Sequence, residues 1–327
     1  LVLAGVIVVA VGIGSTWLPP MTVARAVFGA ADPASNLIVQ GVRLPAALLA
    51  AIAGAALATS GATMQALLRN PLADPFILGI SGGAGLGTVL VAGLSTDPGP
   101  WLPAAAAAGA LTSTLLLLAI AARLADRPSQ SQQSLLLAGV MLNAFCGSGM
   151  LITQAFIDPD RHQQLLHWLL GTIDPMRIPA VGWAISIVCI CATVCWMIAT
   201  SHKFNLLALG DTESHSLGIR PDHLRRSAML VAALCTAGAV CWTGLIGFVG
   251  LIAPHAVRRF VGDDQRYVIA LSAPAGAAAL VLADALSRQA FAVLGTSLPT
   301  GAITAVVGAP LFVWLLLRTQ GAVGGAR

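Results

Sequence analysis

The sequence predicts an all-α, polytopic membrane protein that crosses the bilayer about ten times. Three observations carry that prediction. Hydrophobic residues make up 57% of the 327-residue chain and charged residues only 9%, against roughly 25% charged in ordinary soluble domains. The mean hydropathy is +0.87, more apolar surface than one compact soluble domain of this size can hide. The apolar residues fall in successive runs of roughly 20, the length that spans bilayer hydrocarbon as a helix. Glycine (34 residues) and abundant alanine suit close approach between helices in lipid.

Taken in order, spans are expected at residues 1–18, 44–67, 76–95, 103–123, 134–156, 179–200, 227–243, 247–261, 267–289 and 299–318, within one transmembrane domain covering 1–327. Residues 1–14 lack a basic stretch and a small-residue cleavage site, so they read as a span cut short at its start rather than a removable leader. Pro19-Pro20 ends it. Asp74-Pro75 supplies an N-cap and a proline at the first helical position to open the third span. The run Ser81-Gly82-Gly83-Ala84-Gly85-Leu86-Gly87 lies inside that span, where its glycines admit a neighbouring helix. It is no nucleotide cradle, because Lys203 is the only lysine and a phosphate loop needs one beside its glycines. Asp97-Pro98-Gly99-Pro100 is a turn cluster, and Asp174-Pro175 with Pro179 punctuates the approach to the sixth span. The cysteines (Cys146, Cys189, Cys191, Cys195, Cys235 and Cys241) all sit in apolar runs without clustered His or acidic neighbours, and read as small buried hydrophobes.

Two segments between spans are long enough to carry structure. In 157–178, the stretch from Gln163 to Leu170 reads as a short interfacial helix with Trp168 at headgroup level. His162 and His167 are five apart, about 140° around a helix, so they do not share a ligand. Residues 201–226 form the longest polar stretch. There Gly210-Asp211 begins a helix that Asp211 caps and Gly218 ends in the left-handed conformation, displaying Thr212, Glu213, Ser214, His215 and Leu217. A capped helix is more than a linker requires, and it points to a partner.

An even number of spans places both termini on one side. If that side is the cytoplasm, it holds Arg69, Arg123, Arg127, Lys203, Arg220, Arg225, Arg226, Arg258, Arg259, Arg266, Arg318 and Arg327. The other side holds Arg25, Arg43, Arg161, Arg177 and Arg288. Twelve of the 17 basic residues are then inside, which favours cytoplasmic termini. The net charge of +4 reflects this topology, and no basic stripe with interleaved aromatics suggests nucleic acid.

Polar residues within spans are costly, so they are functional candidates. They are Thr59, Ser60, Thr63 and Gln65 in the second span, Asn143 and Ser148 in the fifth, Asp284 and Ser287 in the ninth, and Thr304 in the tenth. Asp284 has Arg288 one turn away and reads as half of an i,i+4 ion pair. Without a midplane carboxylate pair, an ion-coupled carrier is the weaker reading. No protease or lipase motif occurs, so the chain is not read as an enzyme, and no metal or cofactor is expected. A nearly neutral path lined by small and hydroxyl residues suits a large substrate moved with energy supplied by another subunit.

A series of segments resembles one family. It begins with Arg43-Leu-Pro, Gly54-Ala-Ala-Leu-Ala-Thr-Ser-Gly-Ala-Thr-Met-Gln65, Arg69-Asn70-Pro71-Leu72-Ala73-Asp74-Pro75 and Leu78-Gly79-Ile-Ser81. It continues with Leu135-Leu-Leu-Ala138-Gly139-Val140, His167-Trp168-Leu-Leu-Gly171, Leu207-Ala-Leu-Gly210 and Leu217-Gly218. It closes with Gly247 through Pro254-His255-Ala-Val-Arg258, Leu282-Ala283-Asp284, Leu298-Pro299-Thr-Gly301 and Gly308-Ala309-Pro310-Leu-Phe312-Val-Trp314. In this order the segments are similar to the permease subunits of ABC importers for ferric siderophores, haem and cobalamin.

The resemblance implies a homodimer with the translocation path at its two-fold interface, two ATP-binding subunits beneath, and a periplasmic substrate-binding protein above. The chain would sit as a multi-pass protein in the bacterial inner membrane. Gly210, Asp211, Thr212, Glu213, Leu217 and Gly218 match the ATPase-coupling helix. Arg43 and Arg288 match outer-face positions that dock the binding protein. Met141, Asn143, Phe145, Ser148 and Thr304 fall on the path, and Gln132, Gln133 and Ser134 at an inner gate. Ala46 and Ser297 depart from the family pattern, which has a basic and an acidic residue there. The expected cargo is an iron chelate, a ferric siderophore or haem, with cobalamin as the alternative.

Overall fold

The computed structural model describes residues 2–14, 16–95, 99–124, 131–295 and 298–324, and among these it contains helices and no strand. The helices are α1 (Val2–Gly12), α2 (Pro20–Val27), α3 (Pro33–Ile38), α4 (Leu44–Leu68), α5 (Ile80–Leu94), α6 (Leu102–Leu124) and α7 (Ser131–Gln154). They continue with α8 (Pro159–Leu169), α9 (Ala180–Leu207), α10 (Asp211–Ser216), α11 (Pro221–Thr243), α12 (Val249–Val261), α13 (Gln265–Leu294) and α14 (Thr300–Gly324). A π turn at Val39–Arg43 fuses α3 to α4, and a 3₁₀ turn at Pro75–Leu78 precedes α5.

A helix stands at each expected span. Among the described residues, six stretches are long and apolar enough to cross a membrane: Pro33–Leu68, Leu102–Arg123, Leu136–Gln154, Ala180–Leu207, Pro221–Thr243 and Gln265–Ala290. α1, α5 and the Thr300–Trp314 part of α14 are apolar but shorter.

α4 is the centre of the bundle. It is apolar around its whole circumference, which marks a helix enclosed on all sides, and it is buried almost continuously from Ala53 to Leu68. α13, α11, α12 and α9 pack around it. Two glycine contacts set the closest approaches. A Cβ on Gly54 would strike the backbone of Gly276 in α13, and one on Gly61 would strike the backbone of Gly250 in α12. Several buried hydroxyls are satisfied within their own helices: Thr63 donates to the Thr59 carbonyl at 2.8 Å, and Thr88 and Thr114 each donate four residues back at 2.9 Å. α5, α6 and α7 form a second group against this core. Cys146, Cys235 and Cys241 are buried as expected, whereas Cys191 and Cys195 lie on the exposed side of α9.

α8 differs from the expected surface helix. Its apolar side, Leu165 and Trp168, turns inward and is buried, with Leu165 against Val89 and Ala92 of α5. Trp168 is therefore a core residue rather than one at headgroup level, part of the main apolar core of the bundle.

Candidate functional site

Polar groups gather at the two ends of the bundle. At one end, α9, α10 and α11 form a helix-turn-helix built around Gly210 and Gly218. Gly210 holds φ 131° and ψ 162°, a conformation open to glycine, and it occupies the cap position of α10. Asp211 stands one residue later than expected and does not cap. Its carboxylate accepts two hydrogen bonds from the Arg225 guanidinium, at 2.9 and 2.5 Å. Those bonds hold the acid below the usual carboxylate range. Gly218 ends the helix with φ +81°, as its sequence position predicts.

Ser214 is fully buried and donates to the carbonyls of Leu206 (2.9 Å) and Gly210 (2.5 Å), which staples α10 onto the end of α9. Asp211, Thr212, Glu213, His215, Leu217 and Gly218 remain exposed on the outside of this motif. The end of α9 is also tied to the α12–α13 turn: Asn205 donates to Asp264 at 2.6 Å and accepts from the Gln265 backbone at 2.9 Å. Arg69, at the end of α4, donates to the Leu207 carbonyl and lies 3.7 Å from Asp211. Segments expected on the cytoplasmic side thus meet one another.

Next to this end is the break between α4 and α5. Asp74 is a cap as predicted, but of a 3₁₀ turn that precedes the third span rather than of the span itself, accepting from the Phe76 amide at 2.8 Å. Gly79 then takes φ 88° and α5 starts without a side-chain cap of its own. Its orphan donors and acceptors are met from other helices. Asn143 of α7 accepts from the Gly82 amide at 3.0 Å and donates to the Phe76 carbonyl at 2.7 Å, and Ser113 of α6 donates to the Gly79 carbonyl at 2.7 Å. Asn143, expected on the path, thus faces α5 and braces the junction.

The remaining path candidates separate. Met141, Phe145 and Ser148 share one exposed stripe of α7 with Leu137 and Ile152. Thr304 lies on the buried side of α14, its hydroxyl donating to the Gly301 carbonyl at 2.9 Å. Gln132, Gln133 and Ser134 fall in the first turn of α7, and their side chains lie outside the described residues, as does Ser297.

At the opposite end, a cleft of about 740 Å³ is lined by Arg43, His167, Asp174, Asp284, Ser287 and Arg288, among others. Both arginines are anchored to the C-terminus of α1. Arg43 is 4% exposed and donates to the carbonyls of Val11 (3.0 Å), Gly12 (3.2 Å) and Thr16 (2.7 Å). Arg288 donates to the Ala10 carbonyl at 3.1 Å and to Asp284, the ion pair read from the sequence. Cationic donors at a helix C-terminus satisfy its orphan carbonyls and its dipole. Arg43 therefore serves first as an internal staple, and Ala46, in the place of the second basic residue, is itself buried. Arg288 retains partial exposure, 19% of its side chain. Among the described residues no group of three or more His, Cys, Asp or Glu side chains gathers as a metal site.

The FecCD transport family profile matches residues 2–318, nearly the whole described chain. The chain belongs to the FecCD transport family. Among its relatives, the cobalamin import system permease of Halobacterium salinarum is 38% identical over 309 residues, covering 93% of this chain and 80% of the relative. The vitamin B12 import system permease of Salmonella arizonae is 40% identical over 289 residues, covering 87% and 84%. A solved chain described as an inward-facing conformation of a metal-chelate type ABC transporter superposes with a TM-score of 0.84 at 26% identity, covering 97% of this chain and 96% of that one. This FecCD chain is thus an ABC importer permease, a membrane-spanning subunit that works with ATP-binding and substrate-binding partners.

The sequence had no way to announce the Arg69–Asp211–Arg225 cluster, the Asn143 brace or the Arg43 staple. Each joins residues far apart in the chain, 142 positions (211 − 69) for Arg69 and Asp211.

Proposed function

We propose that this FecCD permease imports cobalamin or a closely related corrinoid. The observation that carries the proposal is 38–40% identity, over 87–93% of the chain, to permeases named for cobalamin and vitamin B12 import. It favours the alternative cargo over the iron chelate that the sequence first suggested. The permease crosses the cytoplasmic membrane ten times with both termini inside. Two copies line the path with the α7 stripe of Met141, Phe145 and Ser148. A separate subunit hydrolyses ATP and docks on α10 through Thr212, Glu213 and Leu217. A substrate-binding protein delivers cargo at the outer cleft, where Arg288 offers a charge; rim charges of this kind set register and on-rate more than affinity.

The test is competition in proteoliposomes holding the assembled transporter. Labelled cyanocobalamin uptake should be displaced by unlabelled cobalamin and not by excess ferric siderophore or haem. Uptake of an iron chelate, with cobalamin inert, would favour the second reading, for which the structural likeness to a metal-chelate type transporter speaks.

A further inference from the structure

We propose that Arg69 is a positioning residue that makes α10 and the α4–α5 strap move as one body, so that events at the docked ATP-binding subunit reach the transmembrane core. The proposal rests on the reading of α10 as the docking helix and names the residue through which that docking acts.

The first observation is backbone conformation. Arg69 ends α4 at φ 47° and ψ 36°, and with Phe248 it is one of two described non-glycine residues at positive φ. Glycine is the ordinary occupant of such a helix end, and a side chain there carries a conformational penalty. A long side chain in that place calls for something the side chain does.

The second observation is what it reaches. The guanidinium donates to the Leu207 carbonyl in the last turn of α9 and sits 3.7 Å from Asp211 at the first position of α10. Asp211 is held in turn by Arg225 in the first turns of α11. One residue therefore links the end of α4 to the entire α9–α10–α11 motif.

The third observation is that the strap beyond it is stiff. The Asn70 amide donates back to the Gln65 carbonyl at 3.1 Å, the Asn70 side chain accepts from the Leu72 amide at 2.9 Å, and the Ala73 amide donates to the Asn70 carbonyl at 3.0 Å. Asp74 then caps the turn into the junction that Asn143 braces from α7, the helix carrying Met141 and Phe145. A displacement of α10 is passed by Arg69 to a strap too short and too well bonded to absorb it. The Arg69–Asp211 pair is also well exposed, at 36% and 55% of the two side chains. Exposed pairs add little to stability, so the contact is placed to orient rather than to hold the fold together.

Arg69→Gly tests this, because glycine accepts the left-handed conformation and only the side chain is lost. Leu72, exposed in the strap, is replaced by an environment-sensitive fluorescent amino acid in the assembled transporter, and ATP with vanadate is added. The wild-type arginine should give a nucleotide-driven fluorescence change. Arg69→Gly should lose at least five-fold of its amplitude while assembling with the ATP-binding subunit and melting within about 2 °C of the parent. Arg69→Lys should restore part of it. An undiminished change in Arg69→Gly, with assembly intact, overturns the proposal. So does loss of assembly in Arg69→Gly alone, which would make Arg69 part of the docking surface. Failure of the ATP-binding subunit to bind even the parent, and likewise the Glu213→Ala and Leu217→Ala variants failing to weaken its binding, would overturn the docking role of α10 and the proposal with it.

Discussion

Asp74 gives the sharpest prediction about the energetics of the α4–α5 junction. Its carboxyl is buried at the break between the helices, and burial pushes it up to about 6 from an ordinary 3.8, against the opposing effect of the Phe76 amide bond. A carboxyl that protonates near pH 6 when folded and near 3.8 when unfolded binds its proton more tightly in the folded state. Its contribution to stability is therefore full below about pH 4 and is lost as pH rises through 6, amounting to about 3 kcal/mol. Asp74→Asn keeps a side-chain oxygen for the Phe76 amide and removes the titration. The variant should match the parent near pH 4 and exceed it by about 2–3 kcal/mol at pH 7–8. Tryptophan-fluorescence melting of both proteins in the same detergent, from pH 4 to pH 8, measures the difference while other titrating groups cancel. A difference that does not change with pH, or a variant less stable than the parent at pH 7, would refute the reasoning.

Three further outcomes follow from the same geometry. Gly61→Ala should lower stability by about 1–3 kcal/mol, since its methyl meets only Gly250 backbone, whereas Gly5→Ala, with nothing within 4 Å, should be neutral or slightly stabilising on melting. Asn143→Leu should lower stability by about 1–3 kcal/mol through loss of the bonds to Phe76 and Gly82, and hydrogen exchange should rise first at the start of α5. Gly210→Pro replaces φ 131° with a residue fixed near −65°, so α10 should be lost and binding-protein-stimulated ATP hydrolysis with it; unaltered stimulation would count against the docking role of α10.

The positions of the helices were legible in the sequence because lipid imposes a length and a polarity that a run of residues either meets or does not. Local punctuation was legible because the Asp74 cap and the left-handed Gly218 depend on their immediate neighbours. Trp168 misled because amphipathic residues suit both a headgroup layer and a core, and tertiary packing makes the choice. Arg43 and Asn143 carry tertiary bonds that the sequence did not display, for a related reason. A polar residue in an apolar run can serve the substrate or satisfy a helix end elsewhere in the fold, and only the tertiary contacts separate the two. Asp211 sits one residue off the expected cap, which Gly210 takes, and its carboxylate bonds instead to Arg225 of the next helix.

As an ABC importer permease, the chain is proposed to move its cargo with energy from ATP hydrolysed by a partner subunit. Proteoliposomes containing the permease, its ATP-binding subunit and its loaded binding protein measure that directly. Labelled cyanocobalamin should accumulate only with ATP inside the compartment that the ATP-binding subunit faces, and should be indifferent to an imposed proton or sodium gradient. Accumulation driven by such a gradient without ATP would contradict the account.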